Sequence, residues 1–172
     1  MRRLYQDYIE TIINDYNKMV FISGPRQVGK TTISKNLLSD ITNSNYLNWD
    51  YLKDRNIILN KHHELFENIL MTISDTKPRV VFDEIHKFND WKNLVKGFYD
   101  KFGDKIEFII TGSAKLNIYK KGGDSLMGRY INLTVHPLTV AEITGVFKNI
   151  NNNIISEPKK VTIEEYEALL QF

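Results

Sequence analysis

One octapeptide restricts this chain more than any other feature. The apolar run Met19 to Ser23 stops at Gly24, and the sequence then reads Gly24-Pro25-Arg26-Gln27-Val28-Gly29-Lys30-Thr31. Helical spacing resumes at Ile33, Leu37 and Leu38. A buried strand, a loop bracketed by glycines and a helix that opens on Lys-Thr form a unit suited to holding an anion. Gly24 and Gly29 let the backbone curl so that successive N–H groups converge. The helix starting near Lys30 adds the partial positive charge of its N-terminus.

The anion this pattern suits is a polyphosphate. Lys30 offers a point charge to β- and γ-phosphates, and the Thr31 hydroxyl is an oxygen donor of the kind Mg²⁺ takes. Thr32 follows, within reach of an α-phosphate. Gly24, Pro25, Arg26, Gln27, Val28, Gly29, Lys30, Thr31 and Thr32 are therefore the expected nucleotide contacts. A chance glycine-lysine turn is the bland alternative, and the strand–loop–helix setting weighs against it.

The rest of the chain alternates strand and helix patterns. Leu4, Tyr8, Ile12 and Tyr16 recur at helical spacing, so an amphipathic helix is expected first. Residues 45–49 read as a second strand and residues 63–74 as a helix with Leu65, Ile69, Leu70 and Ile73 on one side. Arg79-Val80-Val81-Phe82-Asp83 reads as a buried strand. Asn89 or Asp90 would cap a helix whose apolar positions are Trp91, Leu94, Val95 and Phe98. Further strands are expected at 106–111 and 130–135. This alternation implies parallel pairing and a three-layer α/β/α sandwich.

After Pro137, Thr139-Val140-Ala141-Glu142 is a capping-box signature opening a short helix. The asparagine-rich stretch 149–153 reads as a linker. Thr162-Ile163-Glu164-Glu165 is a second capping box, and its apolar pattern is still running at Phe172. The expected organisation is a nucleotide-binding core over residues 1–150. Residues 151–172 then hold the linker and the start of a truncated C-terminal helical segment.

Two carboxylates carry the expected chemistry. Asp83 and Glu84 close an apolar strand, where adjacent like charges repel and are rarely structural. Beside the phosphate loop Asp83 would bind Mg²⁺, often through water, and Glu84 could act as general base on an attacking water. The strand Phe108-Ile109-Ile110 ends in Thr111-Gly112-Ser113, at the rim where open α/β sheets bind ligands. Either Ser113 or Thr111 could orient the water or sense the γ-phosphate. A guanine reader of the form Asn/Thr-Lys-x-Asp is absent after the later strands. Its nearest match, Asn17-Lys18-Met19-Val20, precedes the loop and lacks the acid, so ATP is preferred over GTP. Glu84 tilts the choice from phosphoryl transfer toward hydrolysis.

Composition narrows the partners. With 172 residues, 42% of them hydrophobic, the chain suits one domain with a sizeable core. A formal net charge of +2 gives no support to nucleic acid, which stays open as a partner on other grounds. No cysteine is present, which removes disulfides and thiol chemistry and fits a reducing cytoplasm, the expected location. No stretch approaches the roughly 20 apolar residues of a spanning helix, and the N-terminus lacks an apolar leader core.

Taken together, several stretches resemble a prokaryotic family of AAA+ ATPases. They are the phosphate loop through Thr32, Phe82-Asp83-Glu84-Ile85-His86-Lys87 with Trp91 after it, and Thr111-Gly112-Ser113-Ala114-Lys115-Leu116. Ser125-Leu126-Met127-Gly128-Arg129 and Pro137-Leu138-Thr139-Val140-Ala141-Glu142 fit the same group. The resemblance implies sheet order 5-1-4-3-2, Lys30 and Thr31 for Mg-ATP, Asp83 and Glu84 for Mg²⁺ and base, and Ser113 as polar sensor. It also implies nucleotide switching, a possible homo-oligomer, and a C-terminal domain of poorly understood function that this chain does not contain. Arg129, in the loop before the fifth strand, could stabilise γ-phosphate charge in its own subunit or a neighbour's, or else pair with a carboxylate at the core edge.

Weaker signals point to ordinary roles. Adjacent His62 and His63 cannot face one metal from one helix side and read as a solvated helix start. His86 fits either a partner contact or a local turn hydrogen bond, and His136 a structural role. Lys120 and Lys121 form a small basic loop, and Trp49 packs at the end of its strand.

Overall fold

A computed structural model describes residues 3–74, 76–113, 125–143 and 162–170. The basic loop Lys120-Lys121 and the linker at 149–153 fall outside the described residues. The elements in chain order are α1 (Leu4–Tyr16), β1 (Met19–Ser23), α2 (Lys30–Asn36), β2 (Asn45–Asn48), α3 (Leu52–Asn56), α4 (His62–Met71), β3 (Arg79–Asp83), α5 (Trp91–Phe102), β4 (Glu107–Thr111), β5 (Tyr130–Thr134), α6 (Val140–Ile143) and α7 (Ile163–Leu170). A π-helical turn, Ile57–Lys61, joins α3 to α4, and a 3-10 turn, Ile85–Lys87, follows β3.

The five strands form one sheet in the order β2-β3-β4-β1-β5, with every pair parallel. Read from the other edge this is the expected 5-1-4-3-2. Parallel strands need covered faces, and side chains alternate across a strand, so each central strand feeds two cores. Met19, Phe21, Val80, Phe82, Phe108 and Ile110 face one side with Phe66 of α4 and Trp91, Val95, Phe98 and Phe102 of α5. Val20, Ile22, Val81 and Ile109 face the other with Ile9, Ile12 and Ile13 of α1 and Ile33 of α2. The result is a three-layer α/β/α P-loop fold.

Strand and helix periods transferred well from sequence to structure. β4 begins one residue later than expected, at Glu107, and the strands expected to end at Trp49 and Val135 stop one residue earlier. Their ladders still continue, because the Trp49 N–H donates to the Asp83 carbonyl at 2.9 Å and the Val135 N–H to the Ser23 carbonyl at 2.8 Å. The helix expected over 63–74 runs instead over His62–Met71, which leaves Ile73, expected on its apolar side, beyond its end and fully exposed, and a helical stretch outside that expectation precedes it from Leu52. There Asn56, Ile57, Ile58 and Asn60 are poor helix formers and the π turn breaks the 3.6-residue spacing, so no period could be read. The His62 ring Nδ1 lies 3.0 Å from the Ile58 carbonyl, so this histidine serves the helix rather than solvent.

The capping box at Thr139 forms. The Glu142 carboxylate accepts the Thr139 N–H at 3.1 Å, and the Glu142 N–H donates to the Thr139 hydroxyl at 3.3 Å. Asp90 holds the N-cap position of α5, but its side chain accepts from the Asn93 amide at 2.7 Å instead of capping the helix.

Candidate functional site

The phosphate loop leaves β1 at Gly24 and enters α2 at Lys30. Its glycines are conformationally required. Gly24 has φ +144° and Gly29 φ +88°, and a Cβ on Gly24 would lie 2.3 Å from the Val135 carbonyl oxygen. Pro25, Arg26 and Gln27 form the exposed lip of the loop, with Val28 buried beneath it. Thr32 lies exposed beside Thr31 in the first turn of α2.

Lys30 is buried, 8% exposed, and the loop closes around its ammonium, which donates to the carbonyls of Gly24 at 3.0 Å and Pro25 at 2.5 Å. Burial pushes its pKa down, and the charges of Glu84 and Asp83 pull it back up.

Parallel register brings the acid to the loop. Asp83 ends β3 opposite Thr111 of β4, and β2 lies on its other side. Three hydroxyls converge on its buried carboxylate. Thr31 donates to Oδ2 at 3.3 Å, Thr111 donates to Oδ1, and Tyr46 of β2 donates to Oδ2. Burial first, and then the hydrogen bond to Asp83, raises the Tyr46 phenol well above its ordinary value, so it stays a donor. Of the two hydroxyls expected at the strand end, Thr111 is thus committed to Asp83.

Glu84 adopts a left-handed backbone, φ +58° and ψ 19°, which turns the chain sharply off β3. Its N–H donates to the Thr111 carbonyl at 3.1 Å. Its carboxylate lies 3.3 Å from the Lys87 ammonium and 3.8 Å from His86 Nε2. His86 Nε2 is in turn 3.3 Å from the Ser113 hydroxyl. Desolvation lowers the His86 pKa against the pull of Glu84. Lys30, Thr31, Asp83, Glu84 and Ser113 therefore share one rim of the sheet.

Arg129 does not join them. Its carbonyl accepts the Met19 N–H at 3.0 Å, at the start of β1 and so at the opposite end of the sheet from the loop. Its guanidinium pairs with Asp100 at 2.6 Å. In this arrangement it cannot reach the loop of its own subunit.

Two residues at the rim escaped the sequence reading. Tyr46 carries no motif and reaches Asp83 only because β2 pairs with β3. Arg3 contacts the loop from behind, its Nη1 donating to the Val28 carbonyl at 2.9 Å.

The oxygen-rich pair of Asp83 and the Thr31 hydroxyl suits a hard divalent cation such as Mg²⁺, and the loop with its buried lysine suits a phosphate chain. A family model described as an AAA domain matches residues 16–144. Two solved structures share the fold. The Aeropyrum pernix ORC1 protein, in complex with DNA, aligns at TM-score 0.53 and 12% identity over 82% of this chain and 46% of its own. Caenorhabditis elegans PCH-2 aligns at TM-score 0.54 and 18% identity over 83% of this chain and 42% of its own. The chain thus spans less than half the length of either. No curated protein matches the sequence.

Proposed function

The chain belongs to the AAA domain family of nucleotide-binding AAA+ proteins, and from that premise we propose that it binds Mg-ATP at residues 24–32 and hydrolyses it. The observation that carries this reading is the juxtaposition of the buried Lys30 with Asp83 and Glu84 at one sheet rim. Lys30 would exchange its loop carbonyls for β- and γ-phosphate oxygens, a stronger charge-assisted pairing. Mg²⁺, held by Thr31 and Asp83, would supply charge neutralisation across the phosphates. Glu84 would take the proton of the attacking water, and Ser113 would hold a hydrogen bond at the same rim.

Arg129 would act only across a subunit boundary in a homo-oligomer, after release from Asp100. Nucleotide state would be coupled to a C-terminal domain of the kind carried by the resembling family. A second reading, a binding module that recruits protein or DNA with little turnover, draws on the Lys87 ion pair that occupies Glu84. The small net charge of +2 makes nucleic acid the weaker of those partners. Among the described residues no helix is long and apolar enough to cross a membrane. A cytoplasmic location rests on composition.

Calorimetry with Mg-ATP tests the binding step. Lys30→Ala is expected to weaken affinity at least about tenfold, the scale of one lost charge-assisted contact. A wild-type protein that gives no heat removes the proposal.

Tyr46 adds a prediction specific to the metal. Tyr46→Phe removes one donor to Asp83, so half-saturating Mg²⁺ for nucleotide binding should rise several-fold. Affinity for ADP in excess chelator should stay unchanged. An equal change in both titrations would make Tyr46 a packing residue only.

A further inference from the structure

One short stretch, residues 135–142, backs the phosphate loop at both of its ends. At the front, the Gly24 backbone lies against the Val135 carbonyl so closely that no side chain fits between them. At the back, the contact is made by Arg3. Its Nη1 donates to the Val28 carbonyl at 2.9 Å and its Nη2 to the His136 carbonyl at 2.9 Å. Its Nε and Nη2 donate to the two carboxylate oxygens of Glu142 at 2.6 and 3.1 Å. All three guanidinium nitrogens are engaged, and the side chains of Arg3 and Glu142 are only 9% and 3% exposed. Neither end of the pair is loose. The Arg3 N–H is held by the Gln6 side chain at 2.8 Å, and Glu142 also accepts the Thr139 N–H at 3.1 Å.

The peptide that Arg3 grips is one that can turn over. It joins Val28 to Gly29, and Gly29, at φ +88°, has no Cβ to resist rotation. In a trans peptide the N–H points opposite the C=O. Holding the Val28 carbonyl toward Arg3 therefore directs the Gly29 N–H away from it, and a flipped peptide would present a carbonyl where the loop needs a donor. Lysine could not replace this grip, because one ammonium cannot reach three separate acceptor residues with a planar fork.

We propose that Arg3 is a positioning residue that fixes the donor face of the phosphate loop. The Arg3–Glu142 ion pair then makes nucleotide affinity depend on where α6 sits. The coupling is reciprocal: a bound nucleotide that favours the gripped loop also favours the docked α6. Nucleotide state would so reach the chain after β5 through a charge pair rather than through the sheet. This inference rests on the reading that phosphates occupy the loop.

The test compares Mg-ADP affinities of wild type, Arg3→Lys, Glu142→Gln and the double variant, at a temperature where circular dichroism shows each folded. Each single change is expected to weaken binding about tenfold, and the double change little more than the worse single, because both break one device. The Glu142 side chain bonds to Arg3 and Thr139, neither of them in the loop, so its effect on affinity is the decisive reading; a mere staple would lower melting temperature and leave the folded protein's affinity alone. Hydrogen exchange on the unmodified chain gives a second readout should a variant not fold. Saturating Mg-ADP should slow the amides of residues 139–143. Folded variants that bind within twofold of wild type, or exchange there that ignores nucleotide, overturn the latch. Wild type that does not bind Mg-ADP overturns the nucleotide reading, and the latch with it.

Discussion

Replacing Glu84 with glutamine is expected to lower phosphate release at least about 100-fold and to leave Mg-ATP affinity within about twofold of wild type. A positioned general base contributes roughly 10²- to 10⁴-fold, and glutamine keeps the shape while removing the basic oxygen. The substitution is otherwise quiet. The left-handed backbone at this position, φ +58°, constrains both residues alike. The hydrogen bond from the Glu84 N–H to Thr111 is made by main chain and survives. The charge of Glu84 is lost to Lys30, whose pKa Asp83 still raises, to His86 Nε2 at 3.8 Å, and to Lys87, whose other carboxylate partner, Asp50, lies 2.5 Å away and keeps it paired. Phosphate release and binding calorimetry on the same preparations separate the outcomes. Equal rates in wild type and Glu84→Gln would leave the binding-module reading in place and remove hydrolysis by this residue.

What could be read in advance was whatever a local stretch encodes. The loop, the acid pair and the capping box at Thr139 each lie within a few consecutive residues, and each formed. What could not be read was whatever the sheet order brings together. Tyr46 meets Asp83 because β2 and β3 pair in register, and nothing in Ser44-Asn45-Tyr46-Leu47 announces it. Arg3 and Glu142 are 139 residues apart and meet because α1 and α6 both pack behind the loop. The position of Arg129 was open to inference from topology. In a parallel sheet a residue just before a strand lies at the end opposite the loops that follow strands, so its own subunit's phosphates were out of reach. The helical stretch from Leu52 was hidden by its asparagines, its paired isoleucines and its π turn.

Arg79→Met should cost about 3–5 kcal/mol of stability, the scale of stripping one partner from a buried ion pair. Arg79 begins β3 and is 1% exposed, although its sequence context shows only an apolar strand. Its guanidinium donates to Glu10 at 2.7 and 2.9 Å, to Glu107 at 2.8 Å and to the Leu37 carbonyl at 2.7 Å. It thereby joins α1, the end of α2 and β4 beneath the sheet. Methionine fills much of the volume, so packing loss is small and charge decides the outcome. Glu107 would be left mostly buried without its cation. Burial already pushes its carboxyl above the ordinary 4.5, against the downward pull of Arg79, and removing Arg79 lets it rise further. A carboxyl raised in the folded state penalises folding once pH exceeds its ordinary value, and the penalty is complete above its folded value. The stability gap between variant and wild type should therefore be largest at neutral pH and narrow as pH falls toward 4.5. Adding Glu107→Gln to Arg79→Met removes the stranded charge and should restore roughly half of the loss. Thermal melts at several pH values read both effects. The single variant should melt roughly 6–20 °C below wild type at neutral pH, and a gap that does not change with pH would mean that lost packing, not a stranded carboxylate, is responsible.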